Sequence, residues 1–160
     1  MTRVAAIALG SNLESHWGDR AANLREATLR ARELGAVLAL SSFYDTAPVG
    51  YTEQPDFLNA ALLLETHLEP VELMRALLAI ERAMGRDRAI ALTKGPRVID
   101  LDLLLMGDVV IATKELTLPH PAMAQRRFVL EPLAEIAPNL VDPLSGRTVV
   151  EMLAAVDLKT

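Results

Sequence analysis

Two aspartates, Asp100 and Asp102, sit two positions apart inside the apolar run GPRVIDLDLLL at residues 95–105. Side chains alternate along a strand, so both carboxylates point to one face, ~6.6 Å apart along the chain. Leu101 and Leu103 then turn to the opposite face and can fill a core. A D-x-D pair with no Cys or His beside it offers hard oxygen ligands, which suit Mg2+ and not zinc. Two such carboxylates facing one cavity can hold two ions that share their shells with substrate phosphates. The same alternation also fits a strand with one solvated face, so the neighbours must decide. Arg97 lies three residues before Asp100, and Arg86 and Arg88 lie in the loop that leads to it. Guanidinium groups present a rigid fork that matches phosphate oxygens.

Other candidates are weaker taken singly. Phe57 and Asn59 share a strand face. They read either as core and an edge hydrogen bond, or as a stacking ring and an amide that reads the edge of a flat heterocycle. His120 is held between Pro119 and Pro121, with Arg126 and Arg127 close behind. The segment LGSNL, 9–13, reads as a strand-to-helix turn. It lacks the glycine fingerprint of a dinucleotide site and the Gly-Lys-Ser/Thr of a P-loop. His16 and His67 have no companions that suggest a role.

The elements that must position these residues follow from periodicity. Strands are expected over 3–9, 36–44, 57–65 and 97–105, and helices over 18–34 and 70–84, with Gly35 and Gly85 as stops. Gly107 and Asp108 should turn the fourth strand back into VVIA at 109–112. Short helices are expected near 121–126 and 129–136. Thr148 and Glu151 form a capping box for a last helix over 149–156. The order β-α-β-β-α-β gives the fold class: α/β (α+β), ferredoxin-like, an antiparallel sheet with helices on one face plus a C-terminal extension.

Composition bounds the function. A chain of 160 residues suits one domain, 1–160, and can bury about 70% of its unfolded surface. It has no cysteine, which excludes thiolate catalysis and zinc ribbons and fits a cytoplasmic protein. The opening MTRVAAIALGSN is too short for a signal peptide, and no apolar run approaches the ~18 residues of a membrane span. The net charge of −5 argues against nucleic-acid binding, despite a local cluster of Arg82, Arg86, Arg88, Lys94 and Arg97.

Taken together, ALGSNL (8–13), SSFYDTAPVGYTEQPDFLNAAL (41–62), IERAMGR (80–86), KGPRVIDLDLLL (94–105) and LPHPAMAQRRFVLEPLAEIAP (118–138) resemble one family. It is 6-hydroxymethyl-7,8-dihydropterin pyrophosphokinase, of the folate pathway. The resemblance implies a ferredoxin-like fold and transfer of the β,γ-diphosphate of ATP to the pterin hydroxymethyl group, releasing AMP. It implies two Mg2+ ions on Asp100 and Asp102, and phosphates gripped by Arg86 and Arg97. It puts Glu81, Arg88, His120 and Arg126 at the nucleotide and Thr46, Val49, Phe57, Asn59 and Phe128 around the pterin. Two of the three phenylalanines in the chain fall on those pterin positions. Lys94, Leu78 and Pro121 stand where family members often carry Trp, a polar residue and Tyr. The expected partners are these small molecules, acting on a monomer. The rivals are a ferredoxin-like binding module without catalysis, an RNA-binding module, and a conventional kinase that releases ADP.

Overall fold

The computed structural model describes residues 1–47, 53–85 and 96–158. Strand β1 (Arg3–Ser11) is central and pairs antiparallel with β4 (Phe57–Thr66) on one side and β5 (Asp100–Met106) on the other. The five-residue β2 (Ala36–Leu40) lies outside β4, and β3 (Tyr44–Thr46) pairs farther along β4. The sheet order β2-β4-β1-β5, with β3 on β4, is the antiparallel ferredoxin-like arrangement.

Helices α1 (Arg20–Ala31) and α2 (Pro70–Ala83) cover one face. Asp19 starts α1 by accepting the Ala22 N–H at 2.9 Å. Pro70 opens α2 behind the Glu69–Glu72 capping box, and Gly85 follows it with φ +98°. Ile7, Leu9, Leu62, Leu64, Leu101 and Leu103 meet Leu24, Leu73 and Leu77 in this core. Gly35 does not stop α1, which ends at Ala31. Its need is a close approach: a Cβ there would lie 2.1 Å from the Glu65 carbonyl oxygen of β4.

The C-terminal extension packs against the other sheet face. Helices α3 (Arg127–Ile136) and α4 (Val149–Leu158) bring Leu130, Leu133, Val149 and Met152 onto Ala6, Ala61, Leu104 and Leu105. Thr148 and Glu151 cap α4 as the sequence predicts. The expected strand over 36–44 divides into β2 and β3, because Ser41 turns its hydroxyl to the Ala61 N–H at 2.8 Å. The segment after Gly107 does not fold back on β5. Ile111–Ala112 (β6) pairs instead with Thr117–Leu118 (β7) as a separate ribbon. No helix among the described residues is long and apolar enough to cross a membrane.

One irregularity matters for the site. Ala6 faces Leu105 and Ile7 faces Leu103, so Leu104 is an extra residue in β5, a β-bulge. Before it, Asp100 and Asp102 point to the α3 side.

Candidate active site

The cavity between the sheet and the start of α3 exists because its floor is small. Ala8 and Gly10 of β1 lie opposite Asp102 and Asp100 of β5, and Gly10 also faces Asn59 of β4. Larger side chains here would fill the space that α3 leaves open. A Cβ on Gly10 would sit 3.0 Å from Asn59 Oδ1 and 3.7 Å from Phe57. The resulting cavity, about 750 Å³ with its open mouth, is lined by eight of the expected residues: Thr46, Phe57, Asn59, Arg97, Asp100, Asp102, Arg126 and Phe128. Elements far apart in sequence thus converge, and the D-x-D face is a cavity wall.

The two ends of the cavity differ in chemistry. At one end, Arg97 Nη1 meets Asp100 Oδ2 at 3.3 Å, with side chains only 14% and 21% exposed. Arg97 precedes β5 and does not begin it. A guanidinium beside a carboxylate pair keeps this end polar without leaving it strongly anionic. At the other end, Asn59 is buried and its amide donates to the Thr46 hydroxyl. Phe57 sits beside it, and Phe128 forms the wall contributed by α3. Arg126, at the N-cap of α3, holds its guanidinium 5.8 Å from the Phe128 ring centre. That contact links the aromatic wall to the polar end.

Two expected residues lie elsewhere. Glu81 is 1% exposed on α2, on the opposite side of the sheet from the cavity. Its Oε2 accepts the backbone N–H of Leu101 at 2.7 Å, which braces the residue between the two aspartates from behind. His120 is half-buried and does not line the cavity. Its N–H donates to the Leu104 carbonyl at 2.7 Å and its Nδ1 accepts the Ala122 N–H at 3.1 Å. Burial lowers its pKa, Arg126 lowers it further and Asp100 opposes both. His120 therefore shares an electrostatic environment with the polar end. Val49, Arg86 and Arg88 lie outside the described residues, as does Lys94.

Sequence reasoning missed Asn12. It sits in LGSNL, read above as a simple turn, and is 2% exposed. It bonds the backbone of Arg97 on one side and Gln54 and Pro55 on the other. The available signal was a polar amide directly after an apolar strand, where burial demands partners. Arg20 was missed too: its Nη1 bridges Asp45 at 2.7 Å and the Asp56 carbonyl at 2.9 Å. It thereby joins β3, which carries Thr46, to the residue just ahead of β4, whose first residue is Phe57.

The oxygen donors also test the fit of a metal. Among the described residues no group of three or more His, Cys, Asp or Glu could hold an ion. Asp100 and Asp102 alone would leave most of a coordination shell to other oxygens. That suits Mg2+, which keeps waters and shares phosphates, better than a cage-bound ion.

Comparison with known proteins agrees with this arrangement. A sequence model of the 7,8-dihydro-6-hydroxymethylpterin-pyrophosphokinase (HPPK) family matches residues 6–138. The chain is 46% identical over 138 residues to 2-amino-4-hydroxy-6-hydroxymethyldihydropteridine pyrophosphokinase of Bacillus subtilis, covering 85% of this chain and 79% of that one. It is 46% identical over 159 residues to the Methylorubrum extorquens protein of the same name, covering 98% and 95%. It is also 38% identical to folic acid synthesis protein fol1 of Schizosaccharomyces pombe over 94% of this chain, but spans only 20% of that protein. The crystal structure of Plasmodium falciparum HPPK-DHPS wild type with pteroate superposes with a TM-score of 0.74 at 15% identity. It covers 97% of this chain and 44% of that one, and at that identity the likeness concerns the fold. The family match runs from β1 into the end of α3, and so takes in every wall of the cavity. The chain belongs to the 7,8-dihydro-6-hydroxymethylpterin-pyrophosphokinase family.

Proposed function

We propose that the chain transfers the β,γ-diphosphate of ATP to the hydroxymethyl group of 6-hydroxymethyl-7,8-dihydropterin, yielding the pterin diphosphate and AMP, a step of folate synthesis. The observation that carries this reading is one cavity with two chemistries. Arg97, Asp100 and Asp102 suit a metal-bound polyphosphate, while Phe57, Asn59, Thr46 and Phe128 suit a flat heterocycle with hydrogen-bonding edges.

In this reading the pterin hydroxyl oxygen bonds to Pβ as the Pα–O–Pβ bridge breaks, AMP departs, and the hydroxyl proton passes to solvent. Asp100 and Asp102 would hold two Mg2+ ions. When bound, the metal neutralises triphosphate charge and lowers the pKa of a coordinated hydroxyl. Arg97 offsets charge that builds on the transferred group, and Arg126 supports the nucleotide side. Phe57 and Phe128 flank the heterocycle, and Asn59, oriented by Thr46, reads its edge. Val49, Arg86, Arg88 and His120 are proposed to complete the two subsites, and Glu81 to act on the nucleotide side. Such transfer rests on positioning and charge neutralisation, which fits a site without a strong general base. The proposal takes residues 1–160 as one domain, acting as a cytoplasmic monomer.

The deciding experiment incubates the protein with ATP, Mg2+ and the pterin alcohol and identifies the nucleotide product. AMP with stoichiometric pterin diphosphate supports the reading. ADP would make the chain a conventional kinase, and no turnover would favour a binding module.

A further inference from the structure

The segments SSFYDT and LAEIAP belong to the family resemblance, yet no role above uses Tyr44 or Glu135. The structure brings them together. Glu135, near the end of α3, accepts the Ser42 N–H at 3.1 and 3.0 Å through its two oxygens. It also accepts the Ser42 hydroxyl at 3.1 Å and the Tyr44 hydroxyl at 2.6 Å. One carboxylate therefore grips the β2–β3 link and the first residue of β3.

What lies along the rest of this boundary gives the grip its meaning. Between β3 and α3 runs an open groove, lined among others by Thr46, Phe128, Glu131 and Pro132. Apolar packing does not fill it: Leu130 and Leu133 seat α3 on β4, β3 is held to β4 by its ladder, and the Glu135 grip adds a direct polar tie between α3 and β3. Phe128 and Glu135 are seven residues apart, about 10 Å along the helix and on the same face. Tyr44 and Thr46 share one face of β3 in the same way. Glu135–Tyr44 and Phe128–Thr46 are thus the two ends of one ladder. Pro132 sits between them inside α3 and has no N–H to return to the Phe128 carbonyl. The turn that carries Phe128 is held less firmly by its own helix, which leaves more of its placement to lateral ties.

We propose that Glu135 is a positioning residue: its grip on Ser42 and Tyr44 sets the distance between Phe128 and the Thr46–Asn59 pair, and thereby the affinity for the heterocycle. The proposal rests on the reading of this end of the cavity as the pterin subsite. Glu135 touches no substrate and acts through the spacing of α3 and β3.

Calorimetric titration tests it. The pterin alcohol is titrated into protein saturated with Mg2+ and α,β-methylene-ATP, whose bridging bond cannot be cleaved, and the analogue is titrated separately. Glu135→Gln should raise the pterin Kd about 5- to 10-fold, the scale of a lost charge-assisted hydrogen bond, and move the analogue Kd less than about twofold. Tyr44→Phe should act in the same direction but less, and the double variant should be no worse than Glu135→Gln alone. If Glu135→Gln fails to fold, Tyr44→Phe carries the same comparison. Equal weakening of both ligands, or a lower melting temperature with an unchanged pterin Kd, would make the tie purely structural and overturn the proposal. Absence of pterin binding by the unaltered protein would instead remove the subsite reading, and this inference with it.

Discussion

Asn12 and Arg97 hold each other from two sides: the Asn12 side-chain oxygen accepts the Arg97 N–H at 2.7 Å, and the Asn12 N–H donates to the Arg97 carbonyl at 3.0 Å. The Asn12 amide nitrogen meanwhile donates to Gln54 Oε1 at 2.8 Å and the Pro55 carbonyl at 3.0 Å. One buried amide thus ties the polar end of the cavity to the strand entrance that carries Phe57. Asn12→Asp replaces the donor with a charged oxygen facing two acceptors. It should cost about 1–3 kcal/mol of stability and lower kcat/KM at least about tenfold. Denaturant unfolding and steady-state kinetics measure both. Normal kinetics in a folded Asn12→Asp would show that the tie is not needed.

Asp102→Asn keeps the shape of the wall and removes one of two anionic oxygen donors. Turnover should fall about 100-fold or more, with the melting temperature nearly unchanged because the face is polar. Asp100→Asn should add a second effect, since Asp100 also pairs with Arg97. A folded Asp102→Asn protein with near-normal turnover would remove Asp102 from the proposed metal pair.

Glu81 separates two readings of one carboxylate. If its work is to brace Leu101, Glu81→Ala should lower stability by about 1–3 kcal/mol, the cost of orphaning a buried backbone N–H. Glu81→Gln can still accept that bond and should recover much of the loss. If the residue contacts nucleotide instead, Glu81→Gln should raise the KM for ATP while leaving the melting temperature alone. Measuring both quantities on both variants decides.

Gly10→Ala places a methyl 3.0 Å from Asn59 Oδ1. The Asn59 amide must shift, and its bond to Thr46 with it. The pterin KM should rise about tenfold, the scale of a misplaced specificity hydrogen bond, while the KM for ATP changes little. An equal rise in both would mean that the floor serves the whole cavity and not one end.

Much of this site was legible because strands obey a period of two. Asp100 and Asp102 had to share a face, and Leu101 and Leu103 beside them had to face the other way, as they do. Arg97, Phe57 and Asn59 were legible through their place in motifs. Ala8 and Gly10 were not, because a cavity floor is written in what is missing from a side chain. The contact of Glu81 with the Leu101 N–H was not legible for a different reason. A sequence motif carries residue identity but not the sheet face from which the residue approaches. The β6–β7 pairing was missed because a Gly-Asp turn specifies a reversal without specifying the partner strand. The landing place of the C-terminal extension depended on an exposed apolar half-sheet that only the assembled strands create.

The Glu135–Tyr44 pair predicts a pH signature at both extremes. The Tyr44 hydroxyl and then the Ser42 N–H hold the Glu135 pKa below the usual 4.5. A depressed carboxylate stabilises the fold above its unfolded pKa and loses that contribution as pH falls through the folded value. The bond to Glu135, with burial and the charges of Glu135 and Glu131, pushes Tyr44 from 10.0 up to about 12. Its contribution is complete below pH 10 and fades as pH rises toward 12. The melting-temperature gap between the unaltered protein and Glu135→Gln should therefore close below pH 4.5. The gap to Tyr44→Phe should close above pH 10. Both groups lie near the surface, so the gaps should be small.

The extra residue in β5 acts as a phase shifter. Upstream of Leu104 the inward beat of the strand falls on acids, and downstream it falls on leucine. Deleting Leu104 would leave Asp100, Asp102 and Leu105 on the α3 side and Leu101, Leu103 and Met106 on the other, so one residue can be lost here without exchanging faces. An added residue has no such slack: it needs a second irregularity or turns one half of the strand over, putting acids among leucines or core leucines into the cavity. Insertions in this segment should therefore be far less tolerated than loss of Leu104.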